Sequence, residues 1–139
     1  MVKALETGRR TLGEEHRSTL YSMNLLGFVY CEQGQFDKAE ALLVKALDLR
    51  RRILGEEHKD TLGSMMGLGW LYVKQALYDK AEPLAVTVYS GRSAKFGSDH
   101  VFTQDAIQIL IKLYEAWDKR EDAEKWRAKF SRNQDAQEQ

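Results

Sequence analysis

Apolar residues recur every three or four positions along most of the chain, which is the period of amphipathic helices. One such stripe consists of Leu20, Met23, Leu26, Gly27 and Tyr30. After a break at Gly34, a second stripe runs from Ala39 to Leu47. No segment shows the sustained alternation of apolar and polar residues that half-buried strands require. The pattern therefore predicts an all-α fold.

The helical stripes and the breaks between them predict seven helices, at residues 2–12, 18–33, 37–53, 60–75, 79–95, 102–117 and 121–132. Two pairs of acidic residues have the spacing of a capping box, Asp37 with Glu40 and Asp79 with Glu82. In a capping box, each of the two side chains accepts a hydrogen bond from the backbone N–H of the other residue at the helix start. Pro83 is expected in the first turn of its helix, where the missing N–H costs little.

The helices belong to an internal repeat. The segment Leu12–His16 recurs as Leu54–His58 and, in weaker form, as Phe96–His100, each time 42 residues later. The same offset aligns four further sets of identical residues, namely Thr19, Thr61 and Thr103, Tyr30, Tyr72 and Tyr114, Ala39, Ala81 and Ala123, and Glu40, Glu82 and Glu124. Each block is thus one helix pair, and stacked helix pairs bury what a single pair leaves exposed.

The repeat predicts one right-handed α-solenoid of antiparallel helix pairs over residues 1–132, with about three and a half repeats. Residues 1–16 form a half repeat, 17–58, 59–100 and 101–132 form the repeats, and 133–139 form a polar tail. Because residues 2–5 align with the second helix of the next block, we expect that the chain begins inside a longer array or was cut at this point.

The repeat resembles the tetratricopeptide unit. Leu26–Gly27, Tyr30 and Ala39 carry its signature in the first complete block, Leu68–Gly69, Tyr72 and Ala81 carry it in the second, and Leu110, Tyr114 and Ala123 carry most of it in the third. The 42-residue length and the Leu-Gly-Glu-Glu-His linker resemble the kinesin light chain-like branch. We expect Gly27 and Gly69 to allow a close approach of two helix backbones at Ala39 and Ala81.

Composition excludes several classes of function. Twenty-one Lys and Arg balance 21 Asp and Glu, so no net field attracts nucleic acid or an anionic membrane. No apolar run approaches the ~18 residues of a membrane span. One cysteine, Cys31, suggests a reducing compartment, and we expect a cytoplasmic protein.

Three histidines, one cysteine and a run of arginines could carry chemistry. In each case a structural role explains the residues better than a catalytic or ligand-binding role. His16, His58 and His100 stand one repeat apart, which favours loop and helix-cap roles over a shared metal. Cys31 lacks a recognisable His partner, so we expect a passive groove or core residue. The run Arg50–Arg52 fits a helix C-terminus better than a nucleic-acid contact, since cations suit that end of the macrodipole. We predict no enzyme, no cofactor and no metal site.

The resemblance implies that the first helix of each pair lines a concave, peptide-binding groove, and that Asn24 occupies the position of an asparagine that grips a bound peptide's backbone. The predicted groove residues are Tyr21, Asn24, Phe28, Cys31, Met66, Trp70, Val73, Lys74, Gln108 and Lys112. Packing between neighbouring first helices is the alternative role for these side chains.

Two functions remain open from the sequence. The first is a scaffold that binds a peptide or helix of a partner protein, without nucleic acid or membrane. The second is a self-assembling repeat segment of a larger signalling protein, such as the repeat tail of an ATPase. For the second, Trp126 is the candidate contact, because it either folds back on the preceding repeat or is an aromatic that another copy covers.

Overall fold

The computed structural model describes residues 2, 5, 6, 13 and 16–138, and for 131–138 it describes the backbone alone. Six helices follow one another in this part of the chain: α1 (Arg17–Glu32), α2 (Phe36–Leu54), α3 (Lys59–Lys74), α4 (Tyr78–Phe96), α5 (Val101–Ala116) and α6 (Arg120–Glu138). The described residues contain no strand. Most of the predicted helix 2–12 lies outside the described residues, although Val2, Leu5 and Glu6 are helical.

The predicted helix boundaries agree with these bounds to within two residues, with one exception. The last helix continues to Glu138, six residues beyond its predicted end at 132. The polar residues after 132 are compatible with a helix because polarity removes a packing face and does not by itself break helical hydrogen bonding.

Backbone contacts, rather than side-chain caps, close the turn between the helices of a pair. The amide of Gln35 donates to the carbonyl of Tyr30 at 2.9 Å, and Gly34 adopts φ of 78°. One and two repeats later, Leu77 donates the equivalent bond to Tyr72 and Lys119 donates it to Tyr114. The residues before these donors, Ala76 and Asp118, have the same left-handed conformation, with φ of 61° and 58°. This is the Schellman arrangement of helix C-termini.

The predicted capping boxes are therefore wrong. The residue before α2 is Gln35 and the residue before α4 is Leu77, and neither side chain makes a capping hydrogen bond. Asp37 and Asp79 instead lie inside the first turn, where a carboxylate still favours the positive end of the helix dipole. Because α4 begins at Tyr78, Pro83 lies beyond the first turn, and it offers no amide hydrogen to the carbonyl of Asp79.

The described chain comprises two compact units, residues 1–71 and residues 72–139. In the first unit, α1 packs on α2 around a core of Leu5, Leu20, Met23, Leu26 and Ala46. Gly27 is essential to this contact, since a Cβ there would lie 2.8 Å from Cγ and Cδ2 of Leu43 and 3.5 Å from the carbonyl oxygen of Ala39. The predicted close approach of the two helices at Gly27 is confirmed.

The second unit contains α4, α5, α6 and the end of α3. Its core consists of Ala81, Ala85, Leu110, Leu113, Tyr114 and Ala123. Tyr114 also donates a hydrogen bond of 2.8 Å to the Glu82 carboxylate, which joins α5 to α4. Arg127 of α6 pairs with Glu115 of α5 at 2.8 Å.

Candidate functional site

The clearest exposed apolar surface of the first unit lies on α1. Tyr21, Leu25 and Phe28 are 61 %, 36 % and 45 % exposed, and their spacing of four and three residues places them on one face of the helix. The opposite face carries the buried stripe that includes Leu20, Met23 and Leu26. Because that face packs on α2, the Tyr21–Leu25–Phe28 stripe must point away from the core.

Helix α3 lies beside this stripe. Ser64 of α3 donates a hydrogen bond of 3.1 Å to Oδ1 of Asn24, and Trp70 donates one of 3.1 Å from its indole Nε1 to Glu32. These two contacts hold α3 along α1 over about two helical turns. Met66 and Trp70, which lie on this part of α3, are half-buried. Their apolar surface therefore flanks the exposed stripe of α1.

A buried arginine fixes the position of Asn24 indirectly. Arg50, near the end of α2, is 6 % exposed and donates from Nη1 to the hydroxyl of Ser64 at 2.8 Å and to the carbonyl of Asp60 at 3.1 Å. The Ser64 hydroxyl in turn donates to Asn24. Burial lowers the pKa of the Arg50 guanidinium, whereas the negative charge of Asp60 raises it.

The bond between Asn24 and Ser64 uses the side-chain oxygen of Asn24 and not its amide hydrogens. Among the described residues its one hydrogen bond is the one that Oδ1 accepts from Ser64, which leaves the Nδ2 group with two donors. A half-buried asparagine with a fixed oxygen is suited to donate to the carbonyl of an extended peptide backbone. This is the role that the resemblance implies for Asn24.

The structure does not place every predicted groove residue at a surface. Cys31 is only 3 % exposed, because it follows Gly27 by four residues and shares the buried face of α1. The prediction of Cys31 as a groove contact is corrected on this ground. Val73 is also partly buried, against the core of the second unit. Lys74 at the end of α3, and Gln108 and Lys112 on one face of α5, are exposed.

Sequence reasoning missed two residues that complete the surface on α1 and α3. Leu25 has the i+4 spacing from Tyr21 that would have identified it. Glu32 could not be found in this way, since a glutamate at a helix end has no signature for bonding an indole 38 positions later.

The three repeat-related histidines cap helices. Nδ1 of His58 accepts a hydrogen bond from the amide of Asp60 at 3.0 Å, and His16 and His100 accept equivalent bonds at 3.1 Å from Ser18 and Phe102. The predicted cap role is confirmed. Within the described residues, no group of three or more His, Cys, Asp or Glu side chains could hold a metal ion.

The arginine run Arg50–Arg52 also has structural partners. Arg50 is buried, as described above, and Arg51 pairs with Glu56 at 3.2 Å. Arg92, one repeat after Arg50, is likewise 8 % exposed and donates to the carbonyl of Phe102 at 2.9 Å. The recurrence of arginine at this offset was a signal in the sequence that the prediction did not use.

Trp126 packs back on the preceding helix pair. Its ring meets Tyr89 of α4 edge to face at a centroid distance of 4.8 Å, and the Lys129 ammonium lies 5.1 Å from the indole. Of the two alternatives for Trp126, this is the folded-back one. Self-association through Trp126 remains a prediction.

A wide depression of about 540 Å³ lies along α2, outside the predicted groove, and its described walls are Asp37, Glu40, Ala41, Val44, Lys45, Asp48 and Leu49.

No helix among the described residues has the length and apolar character needed to cross a membrane.

Comparisons with solved structures agree with this architecture. BtubC (BKLC) from P. vanneervenii superposes with a TM-score of 0.87 at 21 % identity, over 99 % of this chain and 55 % of that chain. Two structures of a Podosopora anserina putative kinesin light chain with nearly identical TPR-like repeats follow. One, a glutamine-to-methionine variant, has a TM-score of 0.81 at 24 % identity, over 96 % of this chain and 63 % of that chain. The other has a TM-score of 0.76 at 25 % identity, over 94 % and 62 %.

This chain thus spans little more than half the length of BtubC and less than two thirds of the putative kinesin light chain. A search of curated proteins gives no match to the sequence. The family model of the tetratricopeptide repeat matches residues 1–51 and 22–94, which together cover more than half of the chain. With the predicted all-α fold of helix pairs confirmed and kinesin light chain-like repeats among its structural neighbours, the chain belongs to the tetratricopeptide repeat family.

Proposed function

We propose that this protein is an interaction scaffold, and that it binds a segment of a partner protein on the α1 surface flanked by α3. Tetratricopeptide repeats generally mediate protein–protein interaction and are typically non-catalytic. We accordingly propose no enzymatic activity, and we propose a cytoplasmic location, which rests on the lone cysteine.

The observation that carries the proposal is the exposed stripe of Tyr21, Leu25 and Phe28. Three large apolar side chains in a row on one helix face are unfavourable in water. Full burial of such a side chain from water contributes roughly 1.5–3 kcal/mol, and each of these three would contribute the share that corresponds to its exposed fraction. Aromatic side chains are also frequent anchors of interfaces.

The polar neighbours of the stripe suit a peptide backbone. The Nδ2 group of Asn24 lies in the same segment of α1 and can donate to a carbonyl oxygen of the partner. Trp70 and Met66 add apolar surface on α3. In the second unit, Lys74 and Lys112 are our candidates for contact with acidic residues of a partner, and Gln108 for contact with polar ones.

Selection of a displayed random-peptide library on the purified protein tests the proposal. Peptides that bind should lose at least about tenfold in affinity on Phe28→Ala or Tyr21→Ala, which corresponds to about 1.4 kcal/mol. The matched control is Val86→Ala on α4, another apolar side chain with 38 % exposure, which should leave the affinity unchanged. Equal binding by Phe28→Ala and the parent protein would contradict the proposal.

A second pair of variants separates binding from folding. Trp70→Ala should also weaken peptide binding, yet it should cost less stability than Leu68→Ala, because Leu68 is 6 % exposed and core truncations of leucine cost about 2–5 kcal/mol. Urea unfolding gives both values. Equal losses of stability would place Trp70 in the core and remove it from the binding surface.

A further inference from the structure

The segment between α2 and α3, called the first linker below, borders a small cavity in the first unit. The cavity has a volume of about 150 Å³, and its walls are Arg17, Leu20, Arg50, Ile53, Leu54, His58 and Asp60. A water molecule occupies about 30 Å³ in the liquid, so the cavity has room for a few waters or for one small ion with several oxygens. It is much smaller than the pockets of ~300–1,000 Å³ that hold cofactors or drug-sized ligands.

Arg50, in the cavity wall, has N–H groups that make no hydrogen bond to the described residues. Both hydrogens of the Arg50 Nη1 group are used, one for the Asp60 carbonyl at 3.1 Å and one for the Ser64 hydroxyl at 2.8 Å. Among the described residues, the Nη2 and Nε groups make no hydrogen bond. A guanidinium edge formed by Nη2 and Nε presents two parallel N–H donors, which match the two oxygens of a carboxylate or phosphate.

The charges around the cavity also favour an anion. Arg17 and Arg50 both line it, whereas Asp60 supplies one carboxylate, whose Oδ2 lies 3.8 Å from Nη2 of Arg17. His58 uses Nδ1 for its helix cap, so Nε2 remains as a second nitrogen at the wall. Two guanidinium groups against one carboxylate leave a positive charge at a partly enclosed site.

The segment between α4 and α5, the second linker, is followed by an aromatic residue at the equivalent position. Arg92 and His100 are the repeat equivalents of Arg50 and His58, but Phe102 stands at the position of Asp60. The Phe102 ring lies 5.4 Å from the Arg92 guanidinium and 4.9 Å from the His100 ring. The Phe102 ring thus lies against Arg92, whereas the equivalent Arg50 lines the cavity beside Asp60.

From this comparison we propose that the first linker is a binding site for a small oxyanion, held between the Nη2–Nε edge of Arg50, Arg17 and His58. The ligand is a phosphate or a carboxylate, and the carboxylate is either a free acid or the side chain or terminus of a partner protein. The site is separate from the Tyr21–Leu25–Phe28 stripe, and it does not depend on the proposed peptide binding.

Titration of the isotope-labelled protein, followed by NMR, tests this proposal. Sodium phosphate and sodium acetate are added separately at constant ionic strength, with sodium chloride as the reference. We expect saturable shifts of the Arg50 Nε–H signal with at least one of the two oxyanions and none with chloride. Saturation by acetate would identify a carboxylate site, and saturation by phosphate alone would identify a phosphate site.

Two variants and one internal control make the test specific. Asp60→Phe copies the second linker and should abolish the saturable shifts while the protein stays folded. Arg17→Gln should weaken binding by no more than about fivefold, since the Arg17 side chain is 76 % exposed and an exposed ion contact contributes at most about 1 kcal/mol. The Arg92 Nε–H signal should not respond. Shifts that never saturate, that chloride reproduces, or that persist in Asp60→Phe would overturn the proposal.

Discussion

Single residues decide how closely the two helices of a pair approach. At Gly27 a Cβ would meet Leu43 at 2.8 Å, whereas at Gly63, on α3, a Cβ would meet nothing within 4 Å. The two glycines have the same helical context and differ in the space around them. A comparison of the two positions therefore separates two effects of glycine on stability. One is its low helix propensity, and the other is the close packing that it allows.

Alanine substitutions at these two positions should have opposite effects. Gly63→Ala should raise the free energy of unfolding by up to about 1 kcal/mol, because alanine has the higher helix propensity. Gly27→Ala should lower it by about 1–2 kcal/mol, because overpacking of ~1–3 kcal/mol outweighs the same gain. Urea unfolding of both variants measures the difference. A similar increase in both would show that Leu43 moves aside without cost.

The ionisation of Tyr114 makes the stability of the second unit depend on pH in the alkaline range. The pKa of Tyr114 is raised above its usual value of about 10. Burial is the largest cause, followed by the hydrogen bond to Glu82 and the negative charge of the Glu82 carboxylate. In the unfolded chain Tyr114 ionises near pH 10, whereas in the folded protein it stays neutral to higher pH. Its contribution to stability is complete below about pH 10 and is lost as the pH rises above that value.

Tyr114→Phe isolates this contribution. Above about pH 10, the free energy of unfolding of the parent protein should fall relative to that of Tyr114→Phe, by at most ~1.4 kcal/mol per pH unit. Unfolding in urea at pH 8 and pH 11 measures the change, and the variant controls for the other tyrosines and lysines. A constant difference between the two proteins at both values would contradict the prediction.

At the scale of helices, a histidine begins each first helix of the repeat. His58→Ala should lower the free energy of unfolding by about 0.5–2 kcal/mol, because the amide of Asp60 loses the acceptor at 3.0 Å. His58→Asn should recover most of the loss, since asparagine is among the best capping residues. Thermal or urea unfolding distinguishes the two variants. Equal destabilisation by both would mean that the imidazole acts through its packing and not through the cap.

The turns within the helix pairs tolerate three different residues at one left-handed position. Gly34, Ala76 and Asp118 all have positive φ, although alanine is strained there. The surrounding backbone bonds, such as that from Leu77 to the carbonyl of Tyr72 at 2.8 Å, are the same in each turn. The closing hydrogen bonds thus determine the turn, and glycine is favourable but not required.

At the scale of the whole molecule, the packing of Trp126 bears on whether copies associate. The sequence predicts Trp126 as the candidate contact for self-assembly. On that basis alone, Trp126→Glu would shift the population toward monomer and leave the helices intact. The packing of Trp126 on Tyr89 changes this expectation. A glutamate there would remove an aromatic pair worth about 0.5–1.5 kcal/mol beyond its buried area and would place a carboxylate in a partly buried position.

We therefore expect Trp126→Glu to destabilise the second unit by about 1–3 kcal/mol, measured by urea unfolding. Sedimentation velocity over a range of concentrations then tests association separately. A parent protein that stays monomeric at all concentrations would remove the support for self-assembly. Unchanged stability of the variant would show that the contact between Trp126 and Tyr89 contributes little.

Sequence periodicity by itself determined the helices, their pairing and the core face of α1. These follow from local rules, because residues three and four apart share a helix face and because a 42-residue repeat must place equivalent residues in equivalent positions. The histidine caps were predictable for the same reason, since the cap and the amide that it satisfies are two residues apart.

Only the tertiary structure decided which polar and aromatic residues meet across helices. The bonds between Asn24 and Ser64, between Arg50 and Ser64, and between Trp70 and Glu32 join residues far apart in sequence. Their formation depends on how α1, α2 and α3 pack, which periodicity does not specify. For the same reason, periodicity predicted Cys31 as a groove residue and left the role of Trp126 undecided. It also could not predict that Arg50 and Asp60 line a cavity.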